Sequence, residues 1–203
     1  MSDTGAREAE ALALIERVRA RPARFKDTQI TMAHGAGGKA TQTLVTGLFV
    51  PAFGGDALGE LGDAGVIEGL ALTTDSFVVK PIRFPGGSIG ELAVNGTVND
   101  LAMAGARPLA LTLSLVLEEG LSADDLRAEV EAIARAAEAA GVEIVAGDTK
   151  VVERGRCDSM YVTTTGLGRI DPRASLATSS LRPGDRILVS GPIGEHGTAV
   201  MLA

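Results

Sequence analysis

Acidic and amide side chains interrupt apolar segments in the middle of this sequence, where their burial would be costly. Asp75 lies in a β-rich segment, and Asn99 and Asp100 lie in the otherwise apolar run from Asn95 to Pro108. Burying such groups without partners would cost roughly 1–3 kcal/mol each, and more for a charge. Hard oxygen ligands suit magnesium, which takes one or two carboxylates together with phosphate oxygens. The pattern therefore favours a site for a cation and a polyphosphate.

A polar stripe follows one face of the helix predicted for residues 88–105. Glu91, Asn95 and Asn99 recur at four-residue spacing on an otherwise Ala-, Val- and Leu-rich segment, so their side chains share a face. Asp100 lies about 100° around the helix from Asn99 and need not share every contact. An ordinary solvated face is the alternative interpretation, although the stripe is narrow and contains no Lys or Arg.

A second polar cluster ends an apolar segment that is predicted to be a strand. It consists of glycine, acid, hydroxyl and ammonium in succession at Gly147, Asp148, Thr149 and Lys150. Such a set can bind a cation or a phosphate at a strand terminus, and a plain turn is the alternative.

The glycine-rich segment at residues 35–39 has only part of the pattern of a phosphate-binding P-loop. That motif needs glycine where Ala33 lies and Ser or Thr where Ala40 lies. What remains is a flexible backbone with free N–H groups and the ammonium of Lys39, which suits a lid over phosphates. An ordinary surface turn is the alternative.

Composition narrows the function classes. The chain has 203 residues, of which 45% are hydrophobic, and this is enough for one ordinary domain or one and a half. Only 3% are aromatic and the net charge is −7, which argues against binding to nucleic acid. The single cysteine, Cys157, allows neither an intrachain disulfide nor a cysteine zinc cluster.

The sequence has no segment that is typical of membrane insertion or secretion. No stretch reaches the ~20 apolar residues of a membrane span, and residues 1–24 lack the apolar core of a signal peptide. A cytoplasmic location is therefore expected.

The elements that position the polar residues alternate between helices and strands, as expected for an α+β or α/β domain. Helices are predicted over residues 6–20, 41–49, 88–105 and 123–140. Ser88 and Ser122 are the predicted N-caps of the last two helices, and Gly141 is predicted to end the last one. Strands are predicted over 64–79 with a break near Glu68 and Gly69, and over 109–117, 142–152 and 160–170.

Three regions are predicted along the chain. Residues 1–28 form an N-terminal helical extension, residues 29–171 form the main domain, and residues 172–203 form a linker and the start of a second domain. That start comprises a strand over 185–190 and a helix from about His196. Because a strand and a short helix cannot bury a core alone, the sequence is expected to be a fragment.

Several sequence blocks, taken together and in order, resemble a superfamily of ATP-dependent synthases. This superfamily includes aminoimidazole ribonucleotide synthetase and selenophosphate synthetase, and the chain looks most like its carbamoyl dehydratases of NiFe-hydrogenase maturation. The blocks span residues 34–39, 72–79, 84–87, 90–93, 95–106, 145–152 and 194–197.

The resemblance implies an α+β fold, with a mixed sheet in an ATP-binding domain that pairs with its twin in a homodimer. ATP and Mg²⁺ would lie near the dimer interface. The implied metal ligands are Asp63, Asp75 and Asp100. The implied nucleotide-binding residues are Gly37, Gly38, Lys39, Asn99, Asp100, Asp148, Thr149 and Lys150. Lys39 and Asp75 would also be catalytic.

The chemistry implied by the resemblance is a dehydration that supplies cyanide ligands. ATP would phosphorylate the oxygen of a cysteine S-carboxamide, and loss of phosphate would leave a thiocyanate. The implied partners are a carbamoyl-transferring maturation protein and an iron-scaffold maturation complex. In this family the acceptor is a C-terminal cysteine after Pro-Arg, whereas this sequence ends at Met201-Leu202-Ala203. The fragment alone is therefore expected to be inactive.

Other members of the superfamily fit less well. Selenophosphate synthetases typically have Cys or selenocysteine by the glycine-rich loop, where Ala36 and Gly37 lie here. Aminoimidazole ribonucleotide synthetases show Gly-Thr-Asp-Gly-Val-Gly, which residues 74–77 do not match. Thiamine-phosphate kinases usually have paired aspartates near Asp63 and Ala64. A non-catalytic dimeric assembly module is the remaining alternative.

Overall fold

The computed structural model describes residues 24–54, 58 and 61–203. Its internal contacts divide the chain into two compact units, Met1–Gly59 and Glu60–Ala203, and each is described by itself. The helix predicted over residues 6–20 lies outside the described residues. The domain boundaries predicted after residues 28 and 171 remain predictions.

The described part of the first unit is a short turn followed by an irregular helix. The turn is Met32–Gly35, and the helix consists of α1 (Lys39–Leu44), a wider π-helical segment (Val45–Phe49) and α2 (Val50–Phe53). Pro51 has no N–H to donate to the preceding turn, which accounts for a local change of helix type there. The helix predicted over 41–49 therefore begins earlier and continues to Phe53.

The second unit is built on a five-stranded mixed sheet. Its strands lie in the order β1-β2-β7-β5-β6, and only the β5–β6 pair is parallel. The strands are β1 (Gly65–Ile67), β2 (Leu70–Phe77), β5 (Ala106–Glu118), β6 (Glu143–Val152) and β7 (Met160–Ile170). A separate small hairpin comprises β3 (Arg83–Phe84) and β4 (Gly87–Ser88). The mixed-sheet α+β fold is confirmed.

The turns explain where most strands begin and end. Glu68 and Gly69 have φ angles of 51° and 76°, as a tight two-residue turn between β1 and β2 requires. The predicted break at these residues is confirmed. Pro108 was expected to lie after the helix end, outside the strand, but it lies inside β5 where the register with β7 shifts. Proline is tolerated there because a register irregularity spares one ladder hydrogen bond.

Two long helices pack on one face of the sheet. They are α3 (Ile89–Met103) and α4 (Ala123–Ala140), close to their predicted bounds. The Ser122 hydroxyl caps α4 by accepting the Asp124 N–H at 3.2 Å, and Gly141 ends the helix with a φ of 64°. The capping predictions for α4 are confirmed.

The core lies between these helices and the sheet. Its largest buried apolar side chains are Ile89, Leu101, Leu111, Ile133, Met160 and Val162. Along β2 and β7, every second side chain points into this core, as the alternation of a strand requires. We call this the covered face of the sheet. On the other face, the open face, Thr74 and Ser76 are exposed, and Thr163 and Thr165 are half-buried.

The predicted strand over residues 185–190 is not formed. Residues 185–190 have no regular structure, and the Ile187 side chain is 94% exposed. An apolar segment becomes a strand only when a neighbouring strand accepts its hydrogen bonds. The helix predicted near His196 is confirmed as α5 (Glu195–Leu202). Among the described residues, none of the helices combines the length and apolar character needed to cross a membrane.

Candidate functional site

Asp75 lies where helix α3 crosses strand β2. It points to the covered face, yet it is exposed although Thr73 and Phe77 on either side are buried. The helix approaches at Gly96, where an added Cβ would lie 2.8 Å from the Phe77 ring and 3.8 Å from Asp75 Oδ2. Only glycine permits this approach, which brings the carboxylate to the edge of the helix.

Asp100 lies on helix α3, and its carboxylate contacts Thr73, two residues before Asp75 on β2. The Thr73 hydroxyl lies 3.0 Å from Asp100 Oδ2 and 2.9 Å from the Asp63 carbonyl oxygen. Because a hydroxyl has one proton, it can donate to only one of these acceptors at a time. Thr73 therefore joins helix α3 to the segment that precedes β1.

The pKa of Asp100 is raised above its usual range. Burial is the largest cause, and the negative charges of Asp75 and Asp63 act in the same direction, while the hydrogen bond from Thr73 opposes them. Asp75 and Asp63 are therefore close enough to Asp100 for their charges to oppose its ionisation. A bound cation would relieve this repulsion.

The three carboxylates do not form a preassembled metal centre. No group of three or more His, Cys, Asp or Glu side chains is arranged to hold a metal ion in the part of the chain that the structure describes. Their chemistry still suits magnesium, which takes few protein carboxylates and keeps its other positions for water and phosphate. The predicted metal ligands Asp63, Asp75 and Asp100 stay a prediction.

The predicted polar stripe lies on the outer surface of α3. Asn95 and Asn99 are exposed and Glu91 is half-buried. The opposite side of the helix contacts α4 and the sheet through buried residues that include Val94, Thr97 and Leu101. The amide of Asn99 is therefore available to a ligand next to Asp100.

Asp148 and Lys150 lie on β6, the edge strand next to β5. The Lys150 ammonium donates to both Asp148 oxygens at 2.9 and 2.6 Å. This hydrogen bond, with a smaller one from the Thr149 N–H, lowers the pKa of Asp148. Both side chains are exposed, so Asp148 is ionised and already has a counterion.

Asp148 and Asp75 lie on opposite faces of the sheet. The strand register forms one row through Asp148, Ser114, Thr163 and Ser76, and the Ser76 and Thr163 hydroxyls of this row contact at 2.9 Å. Ser76 is next to Asp75 in the strand, so their side chains point in opposite directions. Within one copy of the chain, Asp148 and Lys150 are therefore separated from Asp75 and Asp100.

The glycine-rich loop belongs to the first unit. Gly37 has a φ of 74°, and its N–H donates to the Thr41 hydroxyl at 3.0 Å. Gly38 occupies the N-cap position of α1, so that Lys39 begins the helix. The Gly37 N–H is thus already paired with Thr41, and the role of this loop and Lys39 as a lid over phosphates stays a prediction.

Sequence reasoning missed two residues of this site. Thr73 could have been found from the alternation of β2, which places it beside Asp75 on the same face. Gly96 could have been found as a glycine inside a predicted helix, which often marks a close approach.

Comparison with known proteins shows to which family and to which relatives the chain is similar. The family described as AIR synthase related protein, N-terminal domain, matches residues 61–170. A carbamoyl dehydratase HypE of Rhodobacter capsulatus is 50% identical over 185 residues, which are 88% of this chain and 54% of that protein. The chain therefore spans about half the length of the curated relatives that it matches.

Solved structures of HypE proteins are also similar to this chain. A HypE–HypF complex matches with a TM-score of 0.74 and 49% identity, covering 78% of this chain and 52% of that one. A HypE in complex with ATP matches with a TM-score of 0.50 and 49% identity, covering 70% and 44%.

Proposed function

The chain belongs to the AIR synthase related family, and from this premise we propose that it is the ATP-binding part of a carbamoyl dehydratase of the HypE type. The reaction is the ATP-dependent dehydration of a C-terminal cysteine S-carboxamide to a thiocyanate. It supplies cyanide ligands for NiFe-hydrogenase maturation. We assign the role of acceptor to a C-terminal cysteine of the full-length protein.

One observation carries the proposal: Asp75 and Asp100 converge on the covered face where α3 meets β2. The glycine at position 96 brings the helix close to Asp75, and Thr73 fixes Asp100 beside it. Oxygen ligands held in this way, next to the amide of Asn99, suit a polyphosphate with its cation. A relative of 49% identity has been crystallised with ATP.

Mg²⁺ is the cation that this donor set fits, with Asp63, Asp75 and Asp100 as ligands. When bound, it would neutralise charge on the transferred phosphoryl group. Burial is the largest cause of the raised pKa of Asp100, and the charges of Asp75 and Asp63 add to it; the latter part supports this assignment, because a cation would remove it.

Lys39 and the glycines before it serve as the phosphate lid. A lysine ammonium and backbone N–H groups bind phosphate oxygens and stabilise the charge that develops on them during transfer. Lys39 and Asp75 are the two residues to which we assign catalytic roles. Asn99 and Asp100, together with Asp148, Thr149 and Lys150, hold the nucleotide.

The working form is a homodimer. The open face, on which Asp148 and Lys150 lie, leaves Thr74 and Ser76 exposed, and this supports a second copy packed on that face. The other proposed partners are a carbamoyl-transferring maturation protein and an iron-scaffold complex. One relative was crystallised with HypF. The use of ATP favours a cytoplasmic location.

Mass spectrometry of the full-length protein tests the proposal. After carbamoylation of the terminal cysteine, addition of Mg²⁺ and ATP should remove the mass of one water and release ADP and phosphate in equal amounts. ATP turnover with selenide or with an aminoimidazole precursor, without loss of water from the cysteine, would contradict it. If the protein forms a stable dimer but shows no saturable ATP binding, the alternative of a non-catalytic assembly module is favoured instead.

A further inference from the structure

Glu129 is a buried carboxylate with no place in the site described so far. It lies on α4, its side chain is 1% exposed, and it is the one carboxylate in the buried interior of the described residues. A buried charge is tolerated only when it is paired and hydrogen-bonded. Its partners therefore indicate why it is there.

Both oxygens of Glu129 are used, and one of them binds the first turn of α3. Oε2 accepts the Gly90 N–H at 3.1 Å, and Oε1 accepts the Arg83 Nε–H at 2.9 Å. A negative charge at this end of a helix satisfies a free N–H and complements the helix dipole. Glu129 thus caps α3 from the neighbouring helix.

Ser88 does not perform this capping. It occupies the N-cap position of α3, yet its hydroxyl accepts no hydrogen bond from the helix and is buried without a partner. Serine at this position usually accepts from the first turn. The cap that sequence reasoning assigned to Ser88 is therefore supplied by Glu129.

The contact also fixes the distance between the two helices. A Cβ on Gly90 would lie 2.7 Å from the Glu129 carbonyl oxygen, so the backbones touch at this point. Arg83 is held in turn by Asp125, with Nη1 3.1 Å from Oδ1. Hairpin β3–β4, helix α3 and helix α4 therefore meet at Glu129.

Asp100 lies ten residues further along α3, about 15 Å from Gly90. The helix is thus fixed at one end by Glu129 and at the other by the Thr73–Asp100 hydrogen bond. We propose that Glu129 is a positioning residue, which sets the placement of Asn99 and Asp100 relative to Asp75 on β2. This inference rests on the proposed function of that site.

Steady-state ATP turnover by the full-length protein tests the proposal with two variants. Glu129→Gln keeps the side-chain size but loses the charge, and its NH₂ group would replace one of the two acceptor oxygens and face either the Gly90 N–H or Arg83. Ile133→Val removes one methylene from the same helix interface, one turn away, and leaves the cap intact. Assayed well below both melting temperatures, Glu129→Gln should lower kcat at least about tenfold, because small displacements of site residues have large effects. Ile133→Val should leave kcat and KM within about twofold.

Hydrogen exchange by mass spectrometry separates this inference from the proposed function. Glu129→Gln should lose protection selectively in α3, whereas Ile133→Val should not. Equal behaviour of the two variants in turnover and in exchange would overturn the positioning role. If the wild-type protein shows no ATP turnover, the proposed function fails, and the exchange comparison alone decides for or against Glu129.

Discussion

The two faces of the sheet hold their carboxylates in opposite ways. On the covered face, burial and the charges of Asp63 and Asp75 raise the pKa of Asp100. On the open face, the Lys150 ammonium lowers the pKa of Asp148. The covered face thus concentrates negative charge that a bound cation would neutralise, whereas the open face has its own counterion. In the proposed site, the carboxylates of the covered face are therefore the metal ligands, and Asp148 is an orienting group.

The largest expected effect comes from Asp75→Asn in the full-length protein. We expect ATP turnover to fall by roughly 10²-fold or more, because a neutral amide would bind the proposed Mg²⁺ more weakly and the cation stabilises the charge that develops on the phosphoryl group. Glu138→Gln, an exposed change of the same kind on α4, is the matched control. Steady-state phosphate release measures both. Equal ATP turnover by Asp75→Asn and the control would show that the covered face is not part of the ATP site.

Gly166→Ala tests how closely helix α3 packs on the covered face of the sheet. An added Cβ would lie 2.7 Å from Thr97 Cγ2 and 3.0 Å from Leu101 Cδ1, so α3 must move away from β7. We expect a loss of about 1–3 kcal/mol in the free energy of unfolding, measured with urea. Gly191→Ala, which meets nothing within 4 Å, is the control. Equal stability of the two variants would show that the helix does not press on the sheet.

Asp148→Asn probes the open face. Because the Asp148–Lys150 pair is exposed, we expect the melting temperature to stay unchanged. The KM for ATP should rise by roughly fivefold if the pair orients the nucleotide. Steady-state kinetics and a thermal melt check this. A fall in kcat as large as that of Asp75→Asn would contradict the proposal that the two faces of the sheet have different roles.

The smallest expected effect is a pH-dependent gain in stability in Asp100→Asn. The folded chain raises the pKa of Asp100, so its stabilisation is present at low pH and is lost as the pH rises through the folded pKa. The amide imitates the protonated form and can still accept from Thr73. At neutral pH without metal, we expect the variant to be more stable by less than about 1 kcal/mol. Thermal melts should converge as the pH falls below about 4, the ordinary pKa of an aspartate, and a difference that grows as the pH falls would contradict the sign.

Most of the fold could be predicted from the sequence because its signals are local. Ser122 and Gly141 mark the ends of α4, and Glu68-Gly69 marks the turn between β1 and β2. The strand expected over residues 185–190 failed because its formation depends on partners that local pattern does not contain.

The candidate site was less predictable. Asp75 and Asp100 could be selected because polar groups in apolar runs are costly. The separation of Asp148 from Asp75 depends on strand order and register, which join residues from four strands. Glu129 had no signal in the sequence, because a glutamate on an amphipathic helix is usually solvated.

The position of β7 has a consequence for how the protein is made. It is the last strand of the sheet in the sequence, yet it lies between β2 and β5, and pairs Leu70 with Arg169. During translation, the edges of β2 and β5 that later pair with β7 therefore stay unpaired until residues 160–170 have left the ribosome. Such long-range pairing makes folding slow and exposes strand edges to aggregation. Chain synthesis and chaperone access, rather than final stability, are expected to limit the yield of this domain.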